Sequence, residues 1–274
     1  MFSRLCPVAI AIAVLTPLTA PCNDVHTTIE LVVADLGASP ADDPAWGWWN
    51  ASKYDAWSAT GEDDAGPIEG RVLVTGETYA TLFNAERYPE LDAAASWTDV
   101  DSGETIRHDL TAELEVYDLA VAQRFEHDNE SAISPWVGAT LMNIDESRAV
   151  PGAANPARET ASSELWGLVL GADGELVLHP QVAISARAVV RWAQGTRRAR
   201  LRADVPDPDS GDPAATDVVL SDTTERAMYG ADLGVRWRAA TAFQLEAGWR
   251  YRDWQFDDGP ASFDGPYARL VVTF

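Results

Sequence analysis

Read backwards from its last residues, the chain alternates apolar and polar positions with a period of two. Pro266, Ala268, Leu270, Val272 and Phe274 form one row, and Tyr267, Arg269, Val271 and Thr273 form the other. In residues 243–256, Phe243, Leu245, Ala247, Trp249 and Tyr251 alternate with Gln244, Glu246, Gly248, Arg250 and Arg252. Residues 227–238, 182–192 and 166–178 repeat the pattern. Side chains on a strand alternate between its two faces, so each segment predicts a strand with one apolar face. Residues 71–83, 108–125 and 135–145 follow the rule less cleanly. The phase of 108–125 slips at Tyr117–Asp118, which predicts a β-bulge. The total is eight strands.

The connections alternate in length. Residues 179–181 and 239–241 are tight turns and 126–134 is short, whereas 84–107, 146–162 and 195–225 are long and rich in Asp, Pro, Gly and Ala. The stretch 257–262 shares that composition but is shorter. An even set of antiparallel strands with short turns at one end and long loops at the other meets the requirement for crossing a membrane as a closed barrel. Trp166, Trp192, Tyr229 and Tyr251 sit near the long loops, and Trp237 and Phe243 near a tight turn, as two interfacial bands would. The expected fold is all-β: an eight-stranded antiparallel transmembrane β-barrel over residues 70–274, with both termini on the short-turn side.

Ahead of it, residues 1–22 read as a signal peptide. One Arg precedes an apolar run, Val8–Leu15, too short to span a bilayer as a helix. Cys6 and Cys22 are the only cysteines, so cleavage near Cys22 leaves a chain without disulfides or thiolate ligands. Residues 23–69 are expected to form an acidic, Trp-rich N-terminal extension. It holds ten acids against Lys53 alone, and includes AWGWWNASKYDAW. The net charge of −23 excludes nucleic acid as a partner, because phosphate binding needs a basic surface.

The polar strand faces carry both signs of charge. Facing a lumen, on the phase of the apolar rows, are Glu77, Glu113, Glu115, Asp173, Glu175, Asp232 and Glu246 against Arg187, Arg191, Arg236, Arg250, Arg252 and Arg269. Arg236 with Glu246, and Asp232 with Arg250, are the expected cross-strand partners. Buried charges persist only when paired and hydrogen-bonded. The set therefore reads either as an ion-paired plug or as a charged conduit for small solutes. Leu270, Val272 and Phe274 are the expected assembly signal.

Catalytic motifs are missing from the sequence. His26, His108, His127 and His179 lie in no metalloprotease spacing, and GxSxG is absent. His108 is the candidate for a rim acid–base group. DPDSGDP (207–213) alternates carboxylates as calcium loops do, but its Gly is misplaced for an EF-hand. RRARLR (197–202) suits phosphates of lipopolysaccharide or neighbouring acids. The residues predict no enzyme activity, metal or cofactor.

Three stretches, AELEVYDLAVAQRF (112–125), LWGLVLGADGELVLHPQVAISARAVVRW (165–192) and SFDGPYARLVVTF (262–274), resemble the pore-forming outer-membrane family typified by the Legionella major outer-membrane protein. The resemblance covers roughly residue 70 onward. It implies an outer-membrane barrel with a porin-like or structural role, and has no counterpart for 23–69. The expected location is the bacterial outer membrane. The expected partners are outer-membrane lipids, lipopolysaccharide and the barrel assembly machinery. The alternative function is a surface binding protein or adhesin acting through the long loops, and after it a barrel-embedded lipid-modifying enzyme.

Overall fold

The structure is a computed structural model. It describes residues 26–34, 37–39, 54–60, 67–76, 79–99, 105–127, 131–149, 157–206, 213–256 and 259–274. The described residues form strands β1 (His26–Ala34), β2 (Gly37–Ser39), β3 (Tyr54–Thr60), β4 (Ile68–Thr75), β5 (Ala80–Asp99), β6 (Thr105–Ala122), β7 (Phe125–His127), β8 (Ser131–Ala149), β9 (Ala157–His179), β10 (Val182–Pro206), β11 (Pro213–Ala240), β12 (Phe243–Phe256) and β13 (Gly259–Thr273). Ten of them, β1, β4, β5, β6, β8, β9, β10, β11, β12 and β13, pair in that order, and β13 pairs back to β1 to close a ring. Every pairing is antiparallel. β2 continues the line of β1 along β13, β3 continues that of β4 along β5, and β7 pairs with β8.

The wall therefore has ten strands, not the eight expected. One extra strand comes from dividing 71–83. Gly76 donates its N–H to the Tyr79 carbonyl (2.9 Å), turning β4 back into β5. The other is β1, which lies in the stretch expected to be an extension. Thr27 and Phe274 exchange both backbone hydrogen bonds, at 3.3 and 2.8 Å, so β1 closes the barrel against the C-terminal strand. An isolated sheet edge would leave those groups unpaired, and closure removes the edge.

The long loops contract as well. Of the residues 84–107, 146–162 and 195–225, the described stretches 84–99, 105–107, 146–149, 157–162, 195–206 and 213–225 are all strand. These strands run far beyond the apolar band and raise the wall at that end. The bulge expected at Tyr117–Asp118 is absent: β6 pairs with β8 in unbroken register from Asp109↔Ala149 to Ala122↔Trp136. The register shift in this region lies on β5, between Tyr88 and Leu91.

What changes at Tyr117–Asp118 is the surroundings of the strand. Below it, Leu119 and Val121 point outward and are exposed, while Asp118, Ala120 and Ala122 are buried inside. Above it, Leu114 and Val116 point inward and are buried, while Glu113 is exposed outside. β9 inverts in the same way at Trp166. Leu168 and Leu170 are outward below it; Arg158, Thr160, Ser162 and Glu164 are outward above it. Trp192 on β10 and Tyr229 on β11 mark the same level. An outward band of apolar side chains edged by aromatics is the surface that a bilayer requires of a barrel.

Candidate functional site: the charged lumen

Ten strands enclose a wider interior than eight do, and in the apolar-banded half long charged side chains fill it. Asp232, on β11, is the hub. Arg250 Nη2 and Arg252 Nη1 donate to it at 2.9 and 2.7 Å, and Arg269 Nη2 at 3.0 Å. Arg250 passes on to Glu69 (2.5 Å), which also accepts from Arg187 Nη1 at 2.7 Å. Arg187 reaches Glu30 (2.7 Å) and Asp173 (2.8 Å), and Asp173 takes a second, bidentate arginine in Arg71. Upwards, Arg252 faces Glu86 at 3.6 Å, and Arg191 joins Glu86 (3.1 Å) to Asp118 (2.7 Å). Downwards, Glu246 binds Arg269 and Arg236, each at 2.7 Å, and Glu175 takes Arg236 (3.0 Å) and Arg238.

These contacts join eight arginines and eight carboxylates into one connected network with no formal net charge. Most of it is sealed from solvent: Arg250 and Arg252 are 0% exposed and Asp232 3%. Isolated charges in such a place would be prohibitively costly, and only dense pairing sustains them. Tyr267 tightens the lower tier. Its hydroxyl donates to Glu246 (2.6 Å), and its ring lies under the guanidinium groups of Arg250 and Arg269, 5.5 and 5.2 Å from the ring centroid. Gly234 is what admits it, because a Cβ there would stand 2.5 Å from that hydroxyl. Trp136 fills another sector by packing against Gly171, where a Cβ would come within 2.2 Å of the ring.

Above the ions sits an apolar layer. Tyr88, Leu114, Val116, Met142, Ile144, Leu165, Met228, Trp254 and Phe263 are buried together. Trp254 meets Tyr88 edge-on at 4.8 Å and Phe263 at 4.7 Å. Below the ions, at the short-turn end, a cavity of about 220 Å³ reaches up to Arg71, Asp173, Arg187 and Arg236. A smaller one of about 10 Å³, room for roughly one water, lies between Asn84, Glu86 and Trp136.

The sequence-predicted residues fall into three groups. Asp173, Glu175, Arg187, Arg191, Asp232, Arg236, Glu246, Arg250, Arg252 and Arg269 all lie in the network, with Arg236 opposite Glu246 and Asp232 opposite Arg250 in register. Glu113 and Glu115 do not. They stand outside above the apolar band, near Arg87 at 3.7 and 3.6 Å, because the apolar row of β6 turns inward there. Glu77 lies outside the described residues, as do residues 1–25, most of AWGWWNASKYDAW and most of DPDSGDP.

Sequence reasoning misses Glu30, Glu69, Arg71, Glu86, Asp118 and Arg238. Four of them lie on β1, β4 and β5, which the pattern alone assigns to an extension, an undivided strand and a loop. The available signal is Gly76, a turn residue inside an alternating run. Leu270 and Val272 point outward and Phe274 is exposed at the barrel end. RRARLR splits by face: Arg197 turns inward to Glu159 (2.5 Å), while Arg198, Arg200 and Arg202 turn outward, Arg200 pairing with Asp217. His108 falls on β6, its side chain outside the described residues. His127 and His179 are exposed near short turns. Among the described residues no cluster of His, Cys, Asp and Glu is placed to hold a metal ion.

No family model matches the chain, and no curated protein matches it. Solved structures do. The outer membrane protease OmpT from Escherichia coli superposes with a TM-score of 0.53 over 94% of this chain and 99% of that one, at 8% identity. A major outer membrane protein from Thermus thermophilus follows at 0.45, covering 91% of this chain and 99% of that one, at 12% identity. The Pseudomonas putida toluene transporter TodX gives 0.40, covering 90% of this chain and 68% of that one, at 11% identity. The expectation that the chain is not an enzyme is corrected by the first of these, since a barrel of this fold is a protease. What the likeness shows is the fold: this chain is an antiparallel β-barrel of the outer-membrane type.

Proposed function

We propose that the chain is an outer-membrane protein whose lumen is closed and structural, and whose raised wall offers a binding surface outside the cell. The observation that carries this reading is the neutral network across the lumen with an apolar layer stacked on it. Ions would have to cross both tiers. Outer-membrane barrels keep short turns on the periplasmic side, which places the His26 and Phe274 end there and the raised wall outside. On the same reading, the apolar band contacts outer-membrane lipid and lipopolysaccharide, and Leu270, Val272 and Phe274 are what the barrel assembly machinery recognises.

The test is fractionation of cell envelopes, followed by planar-bilayer recording of the purified barrel. The expected result is recovery with outer membranes, heat-modifiable migration on gels and no steady conductance. A steady single-channel current from the wild-type chain overturns the closed lumen and supports the solute pore that the family resemblance implies. Recovery as a soluble periplasmic protein overturns the membrane reading itself.

A further inference from the structure

The outer face of the raised wall carries a charge pattern that neither the lumen nor the apolar band accounts for. In three successive rows of the β9–β10 ladder, Arg202 lies opposite Arg158, Arg200 opposite Thr160 and Arg198 opposite Ser162. All six side chains are exposed on the outside. Like charges set directly opposite each other destabilise a strand pair, and Arg158 and Arg202 are set that way. Asp217, on β11, answers part of this charge. It accepts two hydrogen bonds from Arg200, the one from Nε at 2.7 Å, and stands 3.9 Å from Arg202.

The other two arginines are left over. Arg158 donates only to the Ser147 hydroxyl, at 3.4 Å. Among the described residues, neither it nor Arg198 has a carboxylate in ion-pair range. The neighbouring acids stand apart: Asp145 is two strands from Arg198 in the same row, and Glu164, a row lower, accepts from the Trp166 indole at 3.2 Å. In a chain with 43 acids and 20 lysines and arginines, a carboxylate partner is the easier thing to supply. Cations grouped without one call for an anion from outside the chain.

Height selects among the anions of a membrane. Arg198 and Arg202 lie six and ten residues above Trp192 on β10. At about 3.3 Å per residue and a tilt of about 40°, they stand roughly 15 and 25 Å above the aromatic level. The headgroup layer is only about 5–8 Å thick on each side, so phospholipid phosphates end below the patch. Orientation selects further. The outer face of the wall looks sideways, at whatever stands beside the barrel in the same leaflet.

We propose that Arg158, Arg198 and Arg202, with Arg200, form a docking surface for the anionic core sugars of neighbouring lipopolysaccharide. Their guanidinium forks suit phosphates and sugar carboxylates, and the Thr160 and Ser162 hydroxyls between them suit sugar hydroxyls. The proposal rests on the outward placement of the raised wall given above, and not on the closed lumen.

The experiment titrates the full chain, in micelles of a neutral detergent, with lipopolysaccharide bearing a complete phosphorylated core, and counts bound lipid by native mass spectrometry. Parallel titrations use lipid A without core, phosphatidylglycerol and a heparin oligosaccharide. The core-bearing lipid is expected to bind tightest, and more weakly as salt rises. The triple variant Arg158→Gln, Arg198→Gln, Arg202→Gln removes three exposed ionic contacts worth roughly twofold each, so it should bind that lipid about tenfold more weakly. Its binding of lipid A should not change, and its heat-modifiable migration reports intact folding. Equal affinity of the wild-type chain for core-bearing lipid and lipid A, or for phosphatidylglycerol, overturns the patch. So does unchanged binding of core-bearing lipid by the triple variant. Heparin bound as tightly as the core-bearing lipid, and lost in the variant, makes the patch a receptor for soluble polyanions and overturns the lipid assignment. Placement is read separately, from labelling of Thr196→Cys with a membrane-impermeant maleimide above the wild-type background. Labelling only after lysis overturns the outward wall, whatever the micelle titration gives, so the two failures are distinguishable.

Discussion

β9 crosses two environments, and its chemistry reverses between them. From Trp166 down to Leu178 its outward residues are apolar and its inward partners are Val169, glycines and charges; from Arg158 to Leu165 its outward residues are all polar, and Ala161 and Leu165 face in beside Glu159 and Ser163. The same strand, in one register with β10 from Ala183↔Val177 upward, is inside-out in one half relative to the other. Where lipid surrounds the wall, apolar side chains gain nothing by turning inward, and ion pairs can hold the lumen. Where water surrounds it, the raised wall coheres as a soluble sheet does, by burying an apolar interior. The solvent outside sets the chemistry inside.

The sharpest way to break that comparison is to remove the hub of the charged half. Asp232→Ala strips a partner from Arg250, Arg252 and Arg269 at once. Leaving buried cations unpaired costs about 3–5 kcal/mol, to be read from urea unfolding in lipid. Loss under about 1 kcal/mol, far below that cost, would mean that water fills this half. The network also changes what a compensating pair is. Sequence reasoning treats Arg236 and Glu246 as a couple, so that replacing both with Met and Leu should cost little. Glu246 also accepts from Arg269 and Tyr267, so the double variant is expected to remain destabilised.

The lipid half is probed next. Leu170 is exposed on the outer surface within the apolar band. Leu170→Arg should cost about 2–4 kcal/mol if it lies near the bilayer midplane. An effect near zero would place the band outside the membrane.

How far the sequence discloses this molecule follows from the same reversal. The lipid-facing halves of β9 to β13 are legible because their apolar alternation has a single phase. Ten of the network residues follow from that phase alone. The raised halves read as loops because the alternation dims there: in residues 158–164 the inner face carries Glu159, Ala161 and Ser163 and the outer one Arg158, Thr160, Ser162 and Glu164, so neither reads as an apolar row. β6 is the hardest case. Its apolar positions run continuously from Leu110 to Val121 but change face at Tyr117, and a fixed lipid-facing phase turns that into a bulge and sends Glu113 and Glu115 inward. The long-range contacts of Glu30, Glu69 and Glu86 depend on ring closure through β1, which no local pattern encodes.

The smallest expected effect locates the boundary most finely. Glu113 and Val121 lie on the same outer face of β6, on opposite sides of Tyr117. If the aromatic level is the membrane surface, Glu113 is in water, and its contact with the exposed Arg87, at 3.7 Å, is worth about 0–1 kcal/mol. Glu113→Leu should then shift unfolding by no more than that. Val121→Glu, which puts a carboxylate into lipid, should be clearly more destabilising although it too removes no buried contact. The two sites share strand, face and exposure and differ in the medium outside, and the two changes run in opposite directions, one removing a carboxylate and the other adding one. Comparable costs for the two changes would mean that the reversal at Tyr117 is a feature of packing, with the membrane surface elsewhere. A costly Glu113→Leu beside a silent Val121→Glu would put the raised wall in the bilayer and invert the assignment of the two halves.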